Sequence, residues 1–230
     1  METYEAFIER INSIQPHSFR SCANGFTPDP SVRDKVAQDG KLRPFYGDTV
    51  IFCLSESIRR ELTGYQDAIH DIAGEYLAER LAPGFFHMTL HDLSIFGGPT
   101  AKPPHYAEVR AITADILRES FVIGMRSTWV FSMASRSIVL GLVPLDGMAY
   151  NQLMQLYGLY DRCVPLPYPF TPHITLAYYK GNGIPAQVML SLDALAEDMS
   201  HHELIVPLES DNLGYYHFSN MNQYDPYFFD

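Results

Sequence analysis

Apolar residues along the chain fall into short runs of two kinds that alternate. Residues 49–54, TVIFCL, are β-branched and aromatic and stop at Ser55, which predicts a strand. Residues 55–81 follow with Ile58, Leu62, Ile69, Ile72, Tyr76 and Leu77 at broadly helical spacing, behind Ser55 or Ser57 as a cap. Gly64 and Gly74 weaken that helix. A strand over 85–93 comes next, then a helix over 103–120 with its prolines at the start, where they are tolerated. Strands over 126–134 and 136–145 flank a turn at Ser135. A helix over 147–163, a strand within 169–181 and a helix over 185–199 follow. Residues 202–210 and 212–221 read as a closing antiparallel pair. Ahead of all this, residues 2–14 form an amphipathic helix, and a Pro-, Gly- and Asp-rich stretch reads as an extended arm with turns at Asp29-Pro30 and Asp39-Gly40.

That order is itself a duplication: each half is strand–helix–strand with extra strands alongside. No Gly/Ser or Pro linker separates the halves. The pattern predicts an α+β fold of two lobes sharing a central cleft, with two antiparallel sheets inside and helices outside. Residues 1–45 read as the N-terminal helix and arm, and residues 46–230 as one bilobal domain.

Two of the strands carry polar residues where apolar ones are expected. GFFHMTLHDL at 84–93 and PFTPHITLAYYKG at 169–181 hold the same phrase, His87-Met-Thr89-Leu and His173-Ile-Thr175-Leu. With side chains alternating, His87, Thr89 and His91 share one face, and Met88 and Leu90 the other. In the second copy His173, Thr175, Ala177 and Tyr179 share a face, opposite Ile174, Leu176 and Tyr178. The apolar face belongs under the helices. The polar face belongs to the cleft, because a buried imidazole or hydroxyl needs a partner.

Two such strands facing each other gather two imidazoles and two hydroxyls around one point. That set can cleave a phosphodiester: one neutral histidine removes a proton from the attacking hydroxyl or water, and the other, protonated, gives one to the leaving oxygen. The threonine hydroxyls can donate to non-bridging phosphate oxygens. No metal or cofactor is required. One H-x-T-h in a strand is commonplace, whereas two copies in equivalent places of two half-chains carry weight. His91 and Tyr179 are further candidates to line the cleft, Tyr179 by stacking on a base or bonding phosphate.

The pair HMTL and HITL resembles the signature of the two-histidine (2H) phosphoesterase superfamily, the group of the LigT-type RNA 2′-5′ ligases and cyclic phosphodiesterases. The likeness runs in element order from about residue 45 to the C-terminus, and its specific part is the two motifs. Asp39-Gly40, Pro44, Gly47 and Thr49-Val50 are loosely similar to the opening of an uncharacterised bacterial and fungal subgroup. The resemblance implies a bilobal LigT-like fold, His87 and His173 as the acid–base pair, and Thr89 and Thr175 on the phosphate. It implies action on 2′,3′-cyclic phosphates or 2′-5′ linkages, with RNA end joining or a non-catalytic nucleotide-binding module as alternatives.

The formal net charge of -11 argues against a general nucleic-acid coat, which gains affinity by releasing counterions with basic side chains. Only Lys180 and Arg126 sit near the motif-bearing or strand segments, which favours a small nucleotide or phosphodiester over long RNA, with RNA ends as the outer case. The three cysteines, Cys22, Cys53 and Cys163, make no C-x-x-C pair and predict reduced thiols. The N-terminus lacks the basic-then-apolar pattern of a signal peptide, and no apolar run is long enough for a membrane span. A cytoplasmic monomer is expected. A metal site through His87, His91 and His173 is a further reading, and it lacks neighbouring carboxylate ligands.

Overall fold

The computed structural model describes residues 2–14, 19–22, 24–98, 101 and 103–227. Part of the expected arm, residues 15–18 and 23, lies outside the described residues. Among the described residues there are eight strands: β1 (Tyr46–Cys53), β2 (His87–Phe96), β3 (Val122–Met133), β4 (Ser137–Pro144), β5 (His173–Tyr178), β6 (Ile205–Glu209), β7 (Leu213–Asn220) and β8 (Gln223–Pro226). Five α-helices accompany them: α1 (Tyr4–Ile14), α2 (Glu56–Ala73), α3 (Tyr106–Ile116), α4 (Gly147–Asp161) and α5 (Ala186–Ser200).

The strands form one continuous antiparallel sheet in the order β6-β3-β4-β5-β2-β1-β7-β8. The two antiparallel sheets that the sequence predicts are its two four-stranded halves, joined at the centre through β2 and β5 by the registered pair Met88–Ile174. The two motif strands are therefore neighbours, each the innermost strand of its half. A difference from the expected topology lies in the closing strands. Residues 202–210 and 212–221 do not pair with each other: β6 joins β3, and β7 joins β1. A 3-10 turn over Ser210–Asn212 separates them, so each half gains one strand.

Helix α2 starts where its serines predict. Ser55 Oγ accepts from the Ile58 amide, and Ser57 bonds to Ser55 rather than capping. The helix runs through Gly64 and stops at Ala73, with Gly74 as its C-cap. Its buried stripe, Ile58, Leu62, Ile69 and Ala73, meets Met88, Leu90, Ile174 and Leu176 of the motif strands in one core with Leu153 of α4 and Met189 and Leu192 of α5. The apolar face of both motifs thus lies under the helices, as the period of two requires.

Each motif strand carries an extra residue at the same place. Opposite β1, Ile51 pairs with Thr89 and Val50 with His91, leaving Leu90 over. Opposite β4, Val139 pairs with Thr175 and Ile138 with Ala177, leaving Leu176 over. These are β-bulges, and each one reverses the facing of the residues that follow it, in β2 as far as a second register shift at Leu93. Buried Gln66 of α2 supports the second bulge, donating at 3.0 Å to Leu176 O and at 3.1 Å to Leu81 O. Gln66→Leu is expected to leave both carbonyls unpaired in the core and to cost about 1–3 kcal/mol. Urea unfolding checks this; a midpoint equal to that of the parent would show that the amide supports nothing.

Helix α1 and the residues after it pack against the rest of the fold. Phe7 and Ile11 pack on Val143 and Tyr150, and Arg10 donates to Phe170 O at 3.0 Å, in the loop that leads into β5. Phe26 bridges to Ile184, and Val32 and Val36 pack on Ala78.

Candidate active site

The register at the joint fixes how the two motifs meet. Extending Met88–Ile174 by one residue each way sets His87 across from Thr175 and Thr89 across from His173. Side chains directly opposite in an antiparallel pair have Cβ atoms about 5 Å apart, and diagonal ones about 7–8 Å. The two imidazoles are a diagonal pair, flanked by the two hydroxyls.

Both imidazoles are oriented in the same way. His87 Nδ1 donates to Phe85 O at 2.6 Å, and His173 Nδ1 donates to Thr171 O at 2.7 Å. Each ring is thereby held by the carbonyl two residues before it, and its Nε2 is left as the acceptor nitrogen of the neutral form. The residues before each histidine supply that carbonyl: Pro83–Phe85 form a 3-10 turn, and Thr171 follows the proline-rich loop braced by Arg10. All four side chains, His87, Thr89, His173 and Thr175, are half-buried.

Burial lowers both imidazole pKa values. That of His87 falls to about 4, because desolvation and the neighbouring His173 charge outweigh the bond to Phe85 O and the Asp92 carboxylate. That of His173 falls for the same first reason, opposed by the bond to Thr171 O and by Asp92, and assisted by Lys35. Both rings are thus neutral near pH 7 in the free protein.

The bulges decide which other residues share this face. His91 is turned to the helix side, 1 % exposed, with its ring 5.0 Å from Tyr157 and its Nε2 3.6 Å from Asp161. Tyr179 is fully buried against Phe26, ring centroids 4.9 Å apart, and pairs in a bridge with Leu77. Neither lines the cleft, because strict alternation fails at Leu90 and Leu176. The grouping of His87, His91 and His173 as metal ligands fails with it. Asp92 and Tyr178 take the places that alternation assigned to His91 and Tyr179.

Asp92 accepts from Tyr168 Oη at 3.0 Å, and its charge acts on both imidazoles. Tyr178 Oη donates to Met221 Sδ at 3.2 Å. The sheet curls far enough for Tyr224 of β8 to lie with its ring 4.7 Å from His87 and 6.1 Å from Phe85. Burial raises the Tyr224 phenol well above its ordinary range and raises that of Tyr168 too, the Asp92 charge adding to the latter. Both phenols remain protonated donors at neutral pH. The sequence gives no sign of Tyr224, which reaches the site only through the curl. Asp92 and Tyr178 needed the bulges.

Away from the cleft, ligand atoms of His105, Glu108 and Cys163 lie within 4.8 Å of one another at the start of α3 and the end of α4. Burial and the Glu108 carboxylate push the Cys163 thiol up to about 11, so it is a protonated thiol at neutral pH. No helix among the described residues is long and apolar enough to cross a membrane.

No family model and no curated protein matches the chain. Solved structures do. A conserved protein of unknown function from Agrobacterium tumefaciens superposes with a TM-score of 0.66 at 16% identity, over 89% of this chain and 94% of that one. TT0787 of Thermus thermophilus gives 0.47 at 16% identity, over 74% and 86%. LigT of E. coli, in a crystal structure complexed with 3'-AMP, gives 0.45 at 15% identity, over 80% and 96%. The likeness to the Agrobacterium protein is one of fold.

Proposed function

We propose that this chain is a metal-independent phosphodiesterase that cleaves a small nucleotide-like substrate, a 2′,3′-cyclic phosphate or a 2′-5′ linkage. The observation that carries the reading is the matched pair of imidazoles on the central strands, each held through Nδ1–H by its own preceding carbonyl. An acid–base pair needs both rings fixed, with one nitrogen of each available to the substrate.

In the proposed reaction the phosphate sits between His87 and His173. The neutral ring accepts a proton through Nε2 from water as the water oxygen bonds to phosphorus. The protonated ring gives its Nε2 proton to the departing ester oxygen as that P–O bond breaks. The pair ends with its proton exchanged, and product release with solvent exchange resets it. Thr89 and Thr175 donate to the non-bridging oxygens as charge builds there. Asp92, held by Tyr168, favours the imidazolium form of either ring. Tyr224, beside His87, offers a face on which a base can stack.

The test is hydrolysis of nucleoside 2′,3′-cyclic phosphates and of 2′-5′ dinucleotides in EDTA. Turnover that persists in EDTA supports the reading, and turnover abolished by EDTA and restored by a divalent ion overturns it. Thr89→Val and Thr175→Val are each expected to reduce kcat by roughly tenfold, the usual scale for one hydrogen bond to a charged group. Unchanged kcat in both variants would remove the threonines from the phosphate.

A further inference from the structure

Scarce basic lining argues for a small substrate, yet one cation reaches the cleft from an unexpected direction. A 3-10 turn over Pro30–Asp34, capped by the Asp29 side chain, buries Val32 and seats the arm beside Tyr178. Lys35 follows it, and Lys35 O accepts from the Arg43 amide at 2.8 Å, closing the arm into a compact loop. Half-buried Lys35 then places its Nζ 5.0 Å above the Phe45 ring and 5.3 Å above the Tyr178 ring. Two aromatic faces hold an ammonium in place without neutralising it. Arg20, Arg60, Arg80 and Arg136 each have a carboxylate partner, whereas among the described residues no ion pair includes Lys35.

Tyr178 lies on the same face as Thr175 and three residues beyond it. At about 3.3 Å per residue, that is roughly 10 Å along the cleft. Lys35 is therefore placed past the phosphate that His87 and His173 would work on, though its charge still acts on His173.

We infer that Lys35 forms a second anion subsite in the cleft, which takes a non-reacting phosphate of a substrate carrying at least two phosphate groups. This rests on the proposed phosphodiesterase reading and narrows its substrate class. It gives the arm a role in specificity: the arm carries the charge that the domain's own strands lack.

The experiment compares a nucleoside 2′,3′-cyclic phosphate with the same compound bearing a 5′-phosphate. The parent protein is expected to favour the doubly phosphorylated compound by about tenfold in kcat/KM. Lys35→Met is expected to bring that ratio within twofold, and Lys35→Arg to keep most of it. A ratio unchanged in Lys35→Met, or a parent that does not discriminate, overturns the subsite. Lys35→Gln serves the same comparison if the methionine variant loses its native circular dichroism. A calorimetric arm needs no turnover: the dissociation constants of a nucleoside 3′-phosphate and 3′,5′-bisphosphate are expected to show the same discrimination and the same loss. If that discrimination holds while neither cyclic compound is hydrolysed, the hydrolase reading fails and the subsite stands.

Discussion

His87→Ala or His173→Ala is expected to cut kcat by about 10²–10⁴, the range that a positioned general acid or base supplies. The two losses should be of similar size, because the site treats the rings alike. Each donates Nδ1–H to a carbonyl two residues upstream, at 2.6 and 2.7 Å, and each lies across the joint from the other motif's threonine. The double variant should lose little more than the worse single one, since half of a proton relay does no relaying. Folding is a separate matter. Both rings are half-buried and sit at the joint of the sheet, so circular dichroism and an unfolding midpoint must accompany the kinetics. A protein that stays folded and keeps its rate without both imidazoles does not use them. A protein that loses its rate but still binds a nucleoside 3′-phosphate fits a catalytic pair. Binding with no turnover in the parent itself points to a nucleotide-binding module.

Much of this arrangement can be read from the residues, and the rest fails at identifiable points. The period of two places Met88, Leu90, Ile174 and Leu176 in the core and aims His87, Thr89, His173 and Thr175 the other way. Alternation assumes that both strands of a pair advance together. At Leu90 and Leu176 they do not, and the extra residue shows only in the partner strands, where Val50 and Ile51, or Ile138 and Val139, set the register. His91 and Tyr179 fall on the wrong side for that one reason, and Asp92 and Tyr178 replace them. The closing strands fail differently. Ile205–Glu209 and Leu213–Asn220 look like a hairpin because they are adjacent, but their partners are β3 and β1, far away in the chain. Lys35 and Tyr224 enter through the arm's loop and the sheet's curl, which no local pattern encodes.

The pH dependence follows from the two lowered imidazoles and has a definite sign. Turnover needs one ring charged and the other neutral, so kcat/KM follows the fraction of free protein with one proton on the pair. The ordinary histidine value is 6.5, and burial takes His87 down to about 4 and His173 below its ordinary value too. The singly protonated state is therefore most populated on the acid side of 6.5. Above that window kcat/KM should fall tenfold per pH unit as the last proton leaves. The bound phosphate's negative charge favours imidazolium, so the corresponding limb of kcat should lie at higher pH than that of kcat/KM. Asp92 favours the charged rings as well, so Asp92→Asn should move the kcat/KM limb further toward acid. Stability sets the lower end of the measurement. His70 and His87, each lowered to about 4 by burial, are kept neutral by the fold, so their contribution is full above 6.5 and is lost as pH falls toward 4, and burial lowers His91 in the same direction. Circular dichroism along the same pH series separates that loss from the activity limb. A kcat/KM profile that is level from pH 5 to 8, or an upper limb above 7, contradicts a pair of imidazoles, both lowered by burial, that works with one proton between them.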